Sequence, residues 1–106
     1  MDYQTFEASL GLAEPPDNLP SPLHALWHQA KGNWDKAHEL TQGENSQAAA
    51  WVHAFLHRVE GDEANAEYWY GIAGRSQGTG SLSSEWREIA GQLLEAAVES
   101  ELEMGH

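Results

Sequence analysis

Residues 24–33 read HALWHQAKGN and residues 53–62 read HAFLHRVEGD. Laid over each other at a shift of 29, His24 falls on His53, Ala25 on Ala54, His28 on His57, Gly32 on Gly61 and Asn33 on Asp62. Ala37 falls on Ala66 under the same shift. Each unit reads His-Ala-x-x-His-x-x-x-Gly-[Asn/Asp]-x-x-x-Ala. Internal similarity at a fixed offset is the mark of stacked supersecondary units. Glycine reaches the left-handed backbone that reverses a chain between two helices. Asn or Asp directly after it can accept from free N–H groups of the next helix. The later alanine lets that helix approach the first one closely. Two tandem helical hairpins follow, over residues 22–42 and 46–75.

Outward from these units the helical period continues. In the first, Leu23, Leu26, Trp27 and Ala30 form one apolar face, and Ser21-Pro22 marks its start, serine as cap and proline in the first turn. Trp34, Ala37 and Leu40 point inward from the second helix. Residues 46–59 are apolar nearly all round, with Trp51, Val52, Phe55, Leu56 and Val59 as the main stripe, which predicts a central helix. After Gly61-Asp62, Ala64, Tyr68 and Ile72 are predicted to face one way with Trp69 beside them. A Gly74–Gly80 loop follows. Ser81 or Ser83 caps a last helix over 81–103, with Trp86, Ile89, Ala90, Leu93 and Ala97 inward. Before the hairpins, Tyr3, Phe6 and Leu10 predict a short helix ended by Gly11. Residues 13–20 hold three prolines and read as an extended arm. The fold class is therefore all-α, five or six helices in one domain over 1–106, the outer helices capping the hairpins.

The motif Gly61-Asp62-x-x-x-Ala66-x-x-Trp69-Tyr70-x-x-Ala73 resembles the second helix of a Sel1-type unit. Residues 22–75 as a whole resemble the tetratricopeptide and Sel1-like helical-hairpin class. The offset of 29 is shorter than the roughly 34 residues of a tetratricopeptide unit. The stretch from Trp51 to Tyr70 also looks like a group of small bacterial helical proteins that has no assigned activity. The resemblance implies stacked hairpins and a concave groove that takes a peptide or protein.

Composition narrows the partners. Seventeen acids against five Lys and Arg give a formal charge of −12. Such a surface repels phosphate backbones and anionic lipid, so neither nucleic acid nor membrane is expected. Glu95, Glu99, Glu101 and Glu103 read as a solvated helix end. The chain has no cysteine, which excludes disulfides and thiolate chemistry and fits a cytoplasmic location. Residues 1–20 have neither the basic start nor the apolar run of a secretion signal. Five tryptophans in 106 residues supply large areas for burial.

The chemistry-bearing residues are the histidines. His24/His28 and His53/His57 are i,i+4 pairs, each on one side of its helix. Both pairs are expected to line a common groove with Trp69 or Tyr70 at its rim, and His38 is a fifth histidine nearby. Packing histidines bonded to carbonyls or acids would give the same pattern. Four imidazoles could also ligate zinc or another divalent metal. Alanines at 25 and 54 stand where a zincin carries its glutamate, so that protease motif is absent. Glu60 and Asp62 beside Arg58 read as hairpin solvation and capping. No phosphate loop or nucleophile elbow occurs, and no catalytic residue is assigned. The leading expectation is a non-enzymatic protein- or peptide-interaction module without cofactor. The alternative is a histidine-dependent metal-binding protein or small metalloenzyme. Open hairpin ends also leave room for a homodimer.

Overall fold

At both Gly32 and Gly61 the backbone takes φ of +85°, the left-handed value that closes a helix. The computed structural model describes the backbone of residues 1–104 and the side chains of residues 1–97. Glu99, Glu101 and Glu103 lie outside the described side chains. Within it are six helices and, among the described residues, no strand: α1 (Tyr3–Ala8), α2 (Ser21–Ala30), α3 (Trp34–Gln42), α4 (Gln47–Glu60), α5 (Glu63–Ala73) and α6 (Leu82–Met104). A 3-10 turn over Ser9–Gly11 follows α1. The fold is all-α, as the hairpin pattern predicts.

The caps follow local chemistry. Asn33 accepts from the Lys36 N–H at 3.2 Å and Asp62 from the Asn65 N–H at 3.3 Å. Ser46 caps α4 through the Ala49 N–H, and Ser81, rather than Ser83, caps α6 through the Ser84 N–H. The start of α2 differs from expectation. Ser21 already lies within the helix and no side chain caps it; Pro22 sits in the first turn. A proline there removes an N–H that would otherwise need a partner, which relaxes the demand for a cap.

Helix α4 is central. It packs against its hairpin partner α5 and also against α2, α3 and α6, while α2 packs on α3. Ala25, Ala37, Ala54 and Ala66 are fully buried, so the alanines shared by the two units sit where helices approach closely. Trp27, Phe55, Leu26, Leu56 and Ile89 fill the space between helices. Tryptophan N–H groups tie separate elements together: Trp86 donates to the Leu26 carbonyl at 3.0 Å and Trp27 to the Ser9 hydroxyl at 3.2 Å. Phe6 of α1 stacks on Trp86, which seats the N-terminal helix on α6. On α6 the inward residues are Trp86, Ile89, Ala90 and Leu94, with Leu93 and Ala97 half-buried beside them.

The face that α5 buries is not the predicted one. Ala66, Tyr70 and Ala73 point inward, and Ala64, Tyr68 and Ile72 are exposed. Both stripes are apolar, so periodicity alone does not choose between them. Two facts do. Ala66 is the small residue at the crossing with α4. Tyr70 can be buried because its hydroxyl donates to Glu85 at 2.5 Å. Glu85, itself only 3% exposed, also accepts from Arg58 of α4. Arg58 thus turns away from Glu60 and Asp62 toward α6, and one carboxylate joins α4, α5 and α6. Among the described residues, no helix is long and apolar enough to cross a membrane.

Candidate functional site

His53 and His57 stand one turn apart on α4, their ring centroids 4.8 Å apart and nearly stacked. Both are buried, at 5% and 6% exposure. α3 brings a third ring: His38 Nε2 lies 3.0 Å from His53 Nε2. One ring nitrogen from each of His38, His53 and His57 lies within 4.8 Å of the other two. Glu60 accepts from His57 Nδ1–H at 2.6 Å, which leaves Nε2 as the free lone pair of that ring.

Two tryptophans hold the imidazoles flat. Trp34 stacks on His38 with centroids 4.7 Å apart, and Trp69 stacks on His53 at 4.0 Å. Trp34 also meets the His57 ring edge-on, and its own N–H donates to the Leu56 carbonyl at 2.8 Å.

Burial disfavours a positive charge on these rings. It pushes the His53 pKa down to about 4, and the neighbouring His38 and His57 push the same way. The His38 pKa is lowered first by burial and then by His57, with Glu60 and Asp35 opposing. At neutral pH both rings are uncharged and carry lone pairs.

His24 and His28 form a separate pair, with Nε2 atoms 3.3 Å apart. They border a cleft whose other wall is the proline arm, residues 13–19. Burial lowers both pKa values; Lys36 adds to the effect at His24, and His24 and Lys36 add to it at His28. His53 instead borders a cleft of about 490 Å³ together with Thr41, Ser46, Ala50, Trp69 and Ile72. The expected four-histidine groove is thus divided. The structure brings His53 and His57 together with His38, and places His24 and His28 against the arm. Of the two aromatics expected at the rim, Trp69 is there; Tyr70 is buried against Glu85 instead.

Sequence reasoning did not single out Trp34 or Glu60 for this site. For Glu60 the signal was present: an acid three residues after His57 lies on the same helical side. Trp34 gives no comparable signal, because its partners depend on how α3 meets α4.

A comparison with protein-family models finds no match, and comparisons with curated proteins and with solved structures find no significant one.

Proposed function

We propose that the chain is a non-enzymatic interaction module that binds a basic, aromatic- or aliphatic-containing peptide segment along α5 and the α3–α4 loop. One observation carries the reading: α5 turns two large apolar side chains, Tyr68 and Ile72, to solvent beside its exposed Glu63, Asn65 and Glu67. Tyr68 is 63% and Ile72 46% exposed, one turn apart, with Trp69 half-buried next to them. A helix whose inner face is already satisfied by Ala66, Tyr70 and Ala73 has no internal use for a second apolar stripe. Contiguous exposed apolar surface of this kind marks binding sites in soluble proteins. The cleft at His53 and Trp69 adjoins the stripe and has the volume to take a side chain or two. Glu44 lines that cleft and Glu67 lies beside Tyr68, both within a chain of net charge −12. Charge complementarity favours a cationic partner and speeds its encounter. The resemblance of residues 22–75 to a peptide-binding hairpin class agrees with this.

The test is selection from a random peptide library displayed on phage against the immobilised chain. Enriched peptides should combine Lys or Arg with aromatic or aliphatic residues. The double variant Tyr68→Ser/Ile72→Ser changes two exposed side chains and should keep its helix content. Its affinity for the enriched peptides should fall at least about tenfold, the loss of roughly 1.4 kcal/mol. Absence of enrichment, or equal binding by the double variant, sinks the proposal. A dimeric mass in light scattering that becomes monomeric in the double variant would assign the stripe to a second copy of the chain instead.

A further inference from the structure

We infer that His38, His53 and His57 form a binding site for one divalent metal ion of the zinc type, with Glu60 as the positioning residue for His57. This site does not depend on a peptide occupying the neighbouring cleft. It also differs from the four-histidine set read from the sequence: it gains His38 and loses His24 and His28.

The geometry is that of a nearly closed ligand set. Zinc binds imidazole nitrogen at about 2.0–2.1 Å, so two nitrogens on one tetrahedral ion stand about 3.4 Å apart. His38 Nε2 and His53 Nε2 are 3.0 Å apart. An ion between them at ordinary bond lengths would subtend about 94°, and a few tenths of an ångström of opening reaches the tetrahedral angle. The third nitrogen lies within 4.8 Å of both. Against the roughly 3.4 Å of a tetrahedral pair, the third nitrogen has to close by at most about 1.4 Å.

The electronic arrangement points the same way. Each neutral imidazole carries one lone pair and one N–H. Where His38 and His53 face each other, one ring must spend its Nε2–H on the other. A metal ion in that gap accepts both lone pairs and lets each ring keep its proton on Nδ1. At His57 this tautomer is already set, because Nδ1–H donates to the Glu60 carboxylate. Carboxylate–histidine–metal relays orient the ligand ring and raise its basicity. Trp34 and Trp69 hold the other two rings in plane, which lowers the ordering cost of binding.

Three protein ligands leave a tetrahedral ion with an open position. His53 borders the solvent cleft, so the fourth ligand would be water or a donor from whatever occupies that cleft. Imidazole-only coordination selects Zn²⁺, Ni²⁺ or Cu²⁺ over Mg²⁺ and Ca²⁺, which require oxygen.

The experiment uses tag-free, metal-stripped chain titrated with Zn²⁺ alone by calorimetry, and with Co²⁺ followed by visible absorption. The expected result is saturation at one ion per chain, with the absorption of four-coordinate Co²⁺ and no competition from Mg²⁺. His38→Ala should weaken binding at least about 100-fold, and Glu60→Gln about 10–100-fold. The double variant His24→Ala/His28→Ala should bind like wild type. Should His38→Ala fail to fold, Glu60→Gln decides, because Glu60 is exposed and its replacement leaves the packing intact. Absence of saturable binding overturns the site. So does wild-type affinity in His38→Ala or, where that variant does not fold, in Glu60→Gln, and so does loss of binding in the His24/His28 double variant.

Discussion

In hairpin α2–α3 the Asn33 N–H donates to the His28 carbonyl at 2.9 Å; in hairpin α4–α5 the Asp62 N–H donates to the His57 carbonyl at the same distance. The glycine before each has φ of +85°. The two turns are built alike, and the buried Ala25/Ala54 and Ala37/Ala66 sit at matching positions. The histidines they carry nevertheless meet different surroundings. His53 and His57 are buried among His38, Trp34 and Trp69, while His24 and His28 are half-buried beside the proline arm. The cause is what stands in front of each first helix. α4 has α3 before it, and α3 supplies His38 and Trp34. The cleft at the histidines of α2 is walled instead by the arm over 13–19, which supplies no aromatic ring. Repeated local sequence fixes the turn and the side of the helix; the neighbouring element fixes the environment.

The largest effect that would sharpen this contrast is at Glu85. It ties both helices of the second hairpin to α6 through Arg58 and Tyr70, whereas the first hairpin meets α6 through the Trp86 N–H on the Leu26 carbonyl. Glu85→Ala leaves the Arg58 guanidinium without its carboxylate and the Tyr70 hydroxyl without an acceptor. A loss of about 3–5 kcal/mol in urea unfolding is expected, with hydrogen-exchange protection falling first in α5. A loss under about 1 kcal/mol, or one spread evenly over both hairpins, would show that α6 does not hold them differently.

Acidification tests the histidine contrast itself. An unfolded histidine titrates near 6.5, and His53 in the folded chain near 4. Between these values the unfolded state binds the proton that the folded state excludes. Stability from this group is therefore complete above about pH 6.5 and is lost as pH falls toward 4, by roughly 3 kcal/mol over the window. In metal-free protein, His53→Gln should flatten that acid slope. His24→Gln should flatten it less, because its ring is more open to water. Equal flattening by the two variants would mean that the pairs share one environment after all.

Much of this was legible in the sequence, and the boundary has a physical basis. Both reversals, the Asn33 and Asp62 caps and the central place of α4 follow from residues within a few positions of each other. The buried face of α5 did not, because Tyr68/Ile72 and Ala66/Tyr70/Ala73 are both apolar stripes and the choice depends on Glu85, a residue of another helix. The histidine grouping failed for the same reason. An i,i+4 pair is local, but His38 meets His53 only through the packing of α3 on α4, and Glu85 meets Arg58 across 27 residues.

The smallest effects test the part of the comparison that claims identity. A Cβ built on Gly32 or Gly61 meets no atom within 4 Å, so any cost of alanine there comes from the backbone alone. With φ at +85° in both, that cost is expected to be about 1–2 kcal/mol for alanine and more for the β-branched valine. The Gly32→Ala and Gly61→Ala losses should agree within about 0.5 kcal/mol and add in the double variant, since the two turns share no partner. Gly71 supplies the control. It too has open space around its Cβ, but it lies inside α5 without positive φ. Alanine there should stabilise by about 0.5–1 kcal/mol, because it restricts the unfolded chain and fits the helix. Opposite signs at equally open sites would isolate backbone conformation as the cause. A clear inequality between positions 32 and 61 would mean that one turn is held by its surroundings as well as by its glycine, and the two hairpins would then differ even where their sequences agree best.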